Sequence, residues 1–368
     1  YLELYEEDSR YFDIAASVHD APAMVMRMRA GMLSRAVKSP RGEYLFRYYP
    51  NDPWFWQNPW TDVFYGQAYD VYLPLATSII DQAGEITTPS TLNILTGDTE
   101  YGETDPLTGV QVAAQIRTAL NDRPDEVGLI TWIYPFEAYH RLAASGAEGQ
   151  AEVFFGDWFV RTVINHGLPV ATAGTPAAFD ALLAKRDAAP PTVAFLPTAA
   201  AHSAEDAARL FGWLERGVPA LLYGPASSLH TSVLEHLALQ LDEPASGELE
   251  LQRVGSADTG GTHVGMLLHD PVGSAGGIAA RFAPANSREA SATLLYSVTG
   301  AAGERAYVVS AHAPDRAPLY WLRGTNPFET RPDKIKLALK PQPRPARYYD
   351  AGQLGQELLG EVGYTVEV

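Results

Sequence analysis

The residues best suited to chemistry lie where one short apolar run ends. The segment STLNILTGDTEYGETD, residues 90–105, reads as a strand that empties into Asp98, Glu100, Glu103 and Asp105. Hydrolysis of a glycosidic bond needs two carboxyl groups, about 5–5.5 Å apart for retention and wider for inversion, one as acid and one as base or nucleophile. Asp98, at the strand end, is the first choice for a catalytic carboxyl and Glu100 the second. The same run also reads as a solvated acidic loop, with Asp105-Pro106 opening the next helix. Upstream, residues 44–66 read YLFRYYPNDPWFWQNPWTDVFYG and crowd Trp54, Phe55, Trp56, Trp60, Phe64 and Tyr65 together with Asp52, Gln57, Asn58 and Asp62. Sugar rings present apolar C–H faces and hydroxyl edges. Indole platforms beside amides and carboxylates therefore suit them, and Asp52, Trp54, Trp56, Asn58, Trp60, Asp62 and Tyr65 are expected to bind substrate. A hydrophobic plug is the other reading, although interleaved polar groups are what a dry plug avoids.

A third group, WIYPFEAYH (132–140), sets Glu137 and His140 just past a strand end. Glu137 is a third catalytic candidate and His140 a substrate-binding one. Both also suit the first turn of a helix, as cap or surface groups. Other chemistries find less in the chain. Histidines 202, 230, 236, 263, 269 and 312 are scattered, without the i, i+4 pair and third ligand of a zinc site, and no metal or other cofactor is expected. YGPASS lacks the G-x-S-x-G elbow, and the Gly-rich stretches near 255–277 do not open helices after strands as phosphate loops do. Arg323, Asn326 and Glu329 lie near Trp321 in an ordinary loop.

These residues need elements to hold them, and the pattern supplies three regions. From about 13 to 124 short apolar runs alternate with helical ones: strands over 13–20, 44–50 and 90–98, and helices over 24–37, 68–83 and 109–122. The last carries Val112, Ile116 and Leu120 on one stripe. Such alternation implies parallel strands joined by helical crossovers, with sites at the strand ends. The units are too few to close an eight-stranded barrel. From 125 to 245 the series tightens, with strands over 127–136, 168–174, 192–198 and 219–227, and helices over 151–167, 176–187, 203–217 and 229–241. Ser203 opens one helix with Glu205 and Asp206 in its first turn, Gly217 closes it, and Gly167 ends an earlier one. Continuously apolar strands indicate a sheet covered on both faces. After 246 strand-length runs separated by Gly, Pro, Asn and Asp read as mostly antiparallel β structure, followed by a helix over 352–363.

The middle region resembles the flavodoxin-like domain, related in fold to class I glutamine amidotransferases, that follows the catalytic TIM barrel in trimerising β-galactosidases and, more loosely, in galacto-N-biose phosphorylases. The positions that carry it are INHGLPVATAG (164–174), VAFLPTAAAHSAEDAARLFGWLERG (193–217) and VPALLYGPAS (218–227). The resemblance implies the closing part of a TIM-type β/α barrel over 1–124, a flavodoxin-like parallel-sheet domain over 125–245 and a C-terminal, mostly antiparallel β domain over 246–368. It also implies a glycoside hydrolase whose flavodoxin-like domain packs subunits instead of catalysing. With no cysteine anywhere in the chain, that domain cannot hydrolyse glutamine through a thiolate.

Composition bounds the partners. The 368 residues carry 27 basic and 44 acidic side chains, net −17, which opposes nucleic acid and anionic membranes. No stretch approaches the roughly 18 apolar residues of a membrane span, so a soluble protein, cytoplasmic or secreted, is expected. The chain starts at Tyr1 without Met and reads as processed or as a piece of a longer one. The expectation is a carbohydrate-active enzyme, acting on an oligo- or polysaccharide, as a homo-oligomer or with a partner chain that supplies the upstream barrel. The alternative is a non-catalytic carbohydrate-binding or assembly subunit.

Overall fold

A computed structural model of the chain describes residues 45–48, 77–88, 91–94, 106–165, 168–255, 262–284 and 291–325. Its strands are β1 (Leu45–Tyr48), β2 (Ser78–Ile80), β3 (Ile86–Thr87), β4 (Thr91–Ile94), β5 (Ile130–Ile133), β6 (Val170–Gly174), β7 (Val193–Pro197), β8 (Ala220–Tyr223), β9 (Leu239–Ala245), β10 (Gly247–Arg253), β11 (Thr262–His269), β12 (Ile278–Phe282), β13 (Ser291–Gly300), β14 (Gly303–Ala313) and β15 (Arg316–Leu322). The helices are α1 (Pro106–Asn121), α2 (Phe136–Ala144), α3 (Ala147–Asn165), α4 (Pro176–Ala184), α5 (Ala204–Glu215) and α6 (Thr231–His236).

An 11-stranded sheet runs β11-β10-β13-β14-β15-β8-β7-β5-β6-β2-β3. The stretch from β15 to β2 is parallel; the β3 end and the β14-to-β11 end are antiparallel. Counted from β5, the strands β6-β5-β7-β8-β15 stand in the doubly wound order 2-1-3-4-5. Period-two alternation decides which face each side chain covers. Trp132, Phe195, Leu221, Tyr223 and Tyr320 pack under α2 and α3, against Tyr139, Phe155, Phe159 and Val163. Their neighbours Ile133, Ala194, Leu196, Leu222 and Trp321 face the other way, against Phe179, Leu182, Leu210, Trp213 and Val233 of α4, α5 and α6. Both faces are dry, which is why these strands read as unbroken apolar runs.

Local signals hold the helices in place. Ser203 caps α5 reciprocally: the Asp206 N–H donates to Ser203 Oγ at 3.1 Å, and Asp206 Oδ2 accepts from the Ser203 backbone N–H at 3.4 Å. Gly217, at φ +86, follows the helix as a left-handed stop. Thr175 caps α4, with Pro176 in its first turn. Gly167, expected to end α3, lies outside the described residues.

Several expectations change. The helix expected over 68–83 is strand at Ser78–Ile80, where Ile79 and Ile80 are buried and Ser78 Oγ bonds Thr172 Oγ1 of β6 at 2.9 Å. A turn then forms, Asp81 Oδ1 accepting from the Ala83 and Glu85 amides. Its Gly84 (φ +79) sits so close to α4 that a Cβ there would lie 2.4 Å from the Leu182 nitrogen. The helix expected over 229–241 stops at His236, because Ala238 at φ +51 turns the chain into β9. On α1, Leu120 is 42% exposed and Ala119 takes the buried position. The large sheet draws its strands from a long span of the chain. β2 and β3 join it beside β6, and β15 pairs parallel with β8. A two-stranded β9–β12 ribbon packs beside β14, held by Arg305 donating to the Glu243 carbonyl at 2.6 and 2.8 Å.

Candidate functional site

Two places bear on the candidate residues. The first is a separate parallel pair, β1 against β4, in register from Leu45↔Thr91 to Tyr48↔Ile94. Parallel neighbours end at one edge. In the sequence, Asp52 follows Tyr48 by four positions and Asp98 follows Ile94 by four. Asp52, Trp54, Trp56, Asn58, Trp60, Asp62, Tyr65, Asp98 and Glu100 themselves lie outside the described residues.

Glu137 and His140 belong to the large sheet. Both are on α2, just beyond β5, and both are exposed. Pro135 precedes the helix without a side-chain cap, and Glu137 is the acidic residue of the first turn, where it complements the helix dipole. The His140 ring rests on Phe136, with centroids 4.3 Å apart.

The second place is the carboxyl edge of the large sheet. Glu152 of α3 accepts a 2.6 Å bond from Ser228 Oγ, in the turn after β8, while its Oε1 is buried with no hydrogen-bond partner among the described residues. Burial pushes the Glu152 carboxyl up; the Ser228 bond and the charges of Arg323 and His202 pull against that shift. Exposed His202 follows the turn that ends β7, and its Nδ1 donates to the Ser228 carbonyl at 2.9 Å. Thr198, directly after β7, is wholly buried, and its Oγ1 has no partner among the described residues. Gly224, at φ +118, is bare beside it: a Cβ there would come within 2.9 Å of Thr198 Oγ1 and 3.6 Å of Phe155.

Arg323, at the end of β15, underlies this edge. Its Nη2 donates to the carbonyls of Ser274 at 2.7 Å, Gly276 at 2.8 Å and Ala275 at 3.2 Å, and its guanidinium lies 5.5 Å from the centre of the Phe155 ring. Burial lowers its pKa to about 10, so it stays charged at neutral pH. Nothing local in the sequence marks this group. Glu152 and Ser228 are 76 residues apart, and only the strand order brings them together. Among the described residues no group of three or more His, Asp or Glu is placed to hold a metal ion, and no helix is long and apolar enough to cross a membrane.

No family model matches the chain, and no curated protein matches it in sequence. In three dimensions the chain is similar to a catalytic variant of a GH42 beta-galactosidase from G. stearothermophilus, at 11% identity and a TM-score of 0.46, covering 87% of this chain and 49% of that one. It is similar to the beta-galactosidase from Rahnella sp. R3, at 9% identity and a TM-score of 0.48, covering 87% and 47%. It is also similar to alpha-L-fucosidase isoenzyme 2 from Paenibacillus thiaminolyticus, at 11% identity and a TM-score of 0.37, covering 76% and 42%. The chain thus spans about half the length of the two beta-galactosidases.

Proposed function

We propose that the chain is part of a glycoside hydrolase that cleaves an oligo- or polysaccharide at the edge where β1 and β4 end. The observation that supports this reading is the parallel register of those two strands, each of which is followed in the sequence by one of the two stretches. Strands of a β/α barrel place substrate and catalytic groups at that edge. Asp98 and Glu100 supply the paired carboxyls: one protonates the leaving oxygen while the other acts as base or nucleophile at the sugar carbon. Trp54, Trp56 and Trp60 stack on the C–H faces of the sugar, and Asp52, Asn58 and Asp62 bind its hydroxyls.

The large sheet reads as a flavodoxin-like domain extended by antiparallel strands, a reading supported by the 2-1-3-4-5 order. It carries no thiol to act as an amidotransferase nucleophile, and it serves as a frame.

The test is hydrolysis of aryl glycosides by the unmodified chain and by Asp98→Asn and Glu100→Gln. Each substitution lowers kcat by roughly 10²–10⁴-fold, the usual weight of a general acid or base. Activity within twofold of the unmodified chain in both variants contradicts the assignment.

A further inference from the structure

The large sheet ends in an unguarded edge. β11 is its last strand, and among the described residues it pairs with β10 alone. A free edge carries a row of unpaired N–H and C=O groups, which proteins guard with Lys, Pro or other charged residues. The eight residues of β11 include no Lys, Arg, Asp, Glu or Pro. The two sides of this edge differ. Leu267 faces the core with Leu249 and Leu251 of β10, whereas Met266 and Leu268 stand on the outer side, in register with Glu250 and Glu248. Leu268 is 52% exposed there.

We propose that the free edge of β11 is the docking site of the chain's own residues 334–340, added as an antiparallel strand. The sequence there reads KIKLALK. In an extended strand its alternation sets Ile335, Leu337 and Leu339 on one side and Lys334, Lys336 and Lys340 on the other. That pattern complements the edge. The apolar side continues the core beside Leu267, and the lysines take the side of Glu248 and Glu250. Two strand spacings, about 10 Å, separate an added strand from β10, and the four-carbon stem of lysine closes much of that distance. Three of the chain's five lysines fall within these seven residues.

Connectivity favours this segment over a second copy. Just past β15, Thr325 donates from Oγ1 to the Leu268 carbonyl at 3.4 Å and lies 3.2 Å from Ser274 Oγ, so the chain arrives at the carboxyl end of β11. In the sequence, residues 326–333 separate Thr325 from Lys334, more than the two residues that suffice to join antiparallel neighbours. A tethered segment meets the edge at an effective concentration of roughly millimolar. The β11 strand of a second copy would bring no Lys or Arg to the acidic side. The inference stands apart from the assignment of Asp98.

The test exploits the absence of cysteine. In the full chain Met266→Cys is combined in turn with Lys336→Cys, Ala338→Cys, Lys340→Cys and Leu337→Cys, and disulfide formation under mild oxidation is followed by mass spectrometry. Directly opposed residues of neighbouring strands lie within disulfide reach, and residues on opposite faces do not. At least one of the first three pairs closes within the chain at least about tenfold faster than the Leu337→Cys pair. A second measurement leaves β11 unaltered: in Leu337→Asp the amides of residues 262–269 exchange hydrogen at least about tenfold faster than in the unmodified chain. The proposal is overturned if none of the first three pairs outpaces the Leu337→Cys pair, or if the disulfides join two chains instead of closing within one. It is equally overturned if exchange over 262–269 is the same in Leu337→Asp and the unmodified chain.

Discussion

His269 is wholly buried, donates from Nε2 to the Gly276 carbonyl at 2.9 Å, and lies near enough to Arg323 to feel its charge. Its Nδ1 is buried and has no partner among the described residues, so a second proton has nowhere to go. Burial first, and the Arg323 charge second, push its pKa down to about 3. The sign follows from linkage. The unfolded chain takes up this proton near pH 6.5 and the folded chain only near 3, so the contribution is whole above 6.5 and is lost as pH falls through that window. At roughly 1.4 kcal/mol per unit, the loss at pH 4 is on the order of 3 kcal/mol. Urea unfolding between pH 7 and 4 should show a steeper acid limb for the unmodified chain than for His269→Gln; equal slopes would remove His269 from the account. Residues of this kind were only partly legible in the sequence. Asp98 is visible because four carboxylates follow one apolar run, whereas His269 and Glu152 have no local pattern. Each owes its environment to contacts that only the folded sheet creates.

Among the elements, α5 was the most legible, because its start and stop are local. Ser203, Asp206 and Gly217 are each specified within a turn of the backbone they satisfy. Ser203→Ala should cost about 1 kcal/mol and lower Tm by a few degrees, as measured by calorimetry; an unchanged Tm would mean that the cap is already met by solvent. The failures are equally local in origin. Residues 68–83 have helical periodicity, yet Ser78 and Ile79 are claimed by β6, a partner almost a hundred residues away, and that pairing outweighs propensity. The sequence around Ala238 carries no Gly or Pro, so nothing announces the positive φ that ends α6. The strand runs over 249–254, 262–269 and 305–312 were readable from length and punctuation, but that they extend the parallel sheet through β15 was not. Sheet order depends on which edge each strand finds, and composition does not encode it.

At the scale of the whole molecule, the β1–β4 pair and the 11-stranded sheet are separate sheets. The 11-stranded sheet buries a core on each face and carries Glu152 and Ser228 at its carboxyl edge, while the β1–β4 pair is followed in the sequence by the residues proposed for catalysis. The central claim is that a glycosidic bond is broken beyond the ends of β1 and β4 and not at the exposed Glu137 or in the Glu152 cluster. The measurement that tests it most directly is to treat the chain with a panel of epoxyalkyl glycosides, which esterify carboxylates beside a bound sugar, and to map the modified peptide by mass spectrometry. The account predicts time-dependent loss of activity, with the label on Asp98 or Glu100 and protection by added substrate. A label on Glu137 or Glu152 that tracks the loss of activity would contradict it.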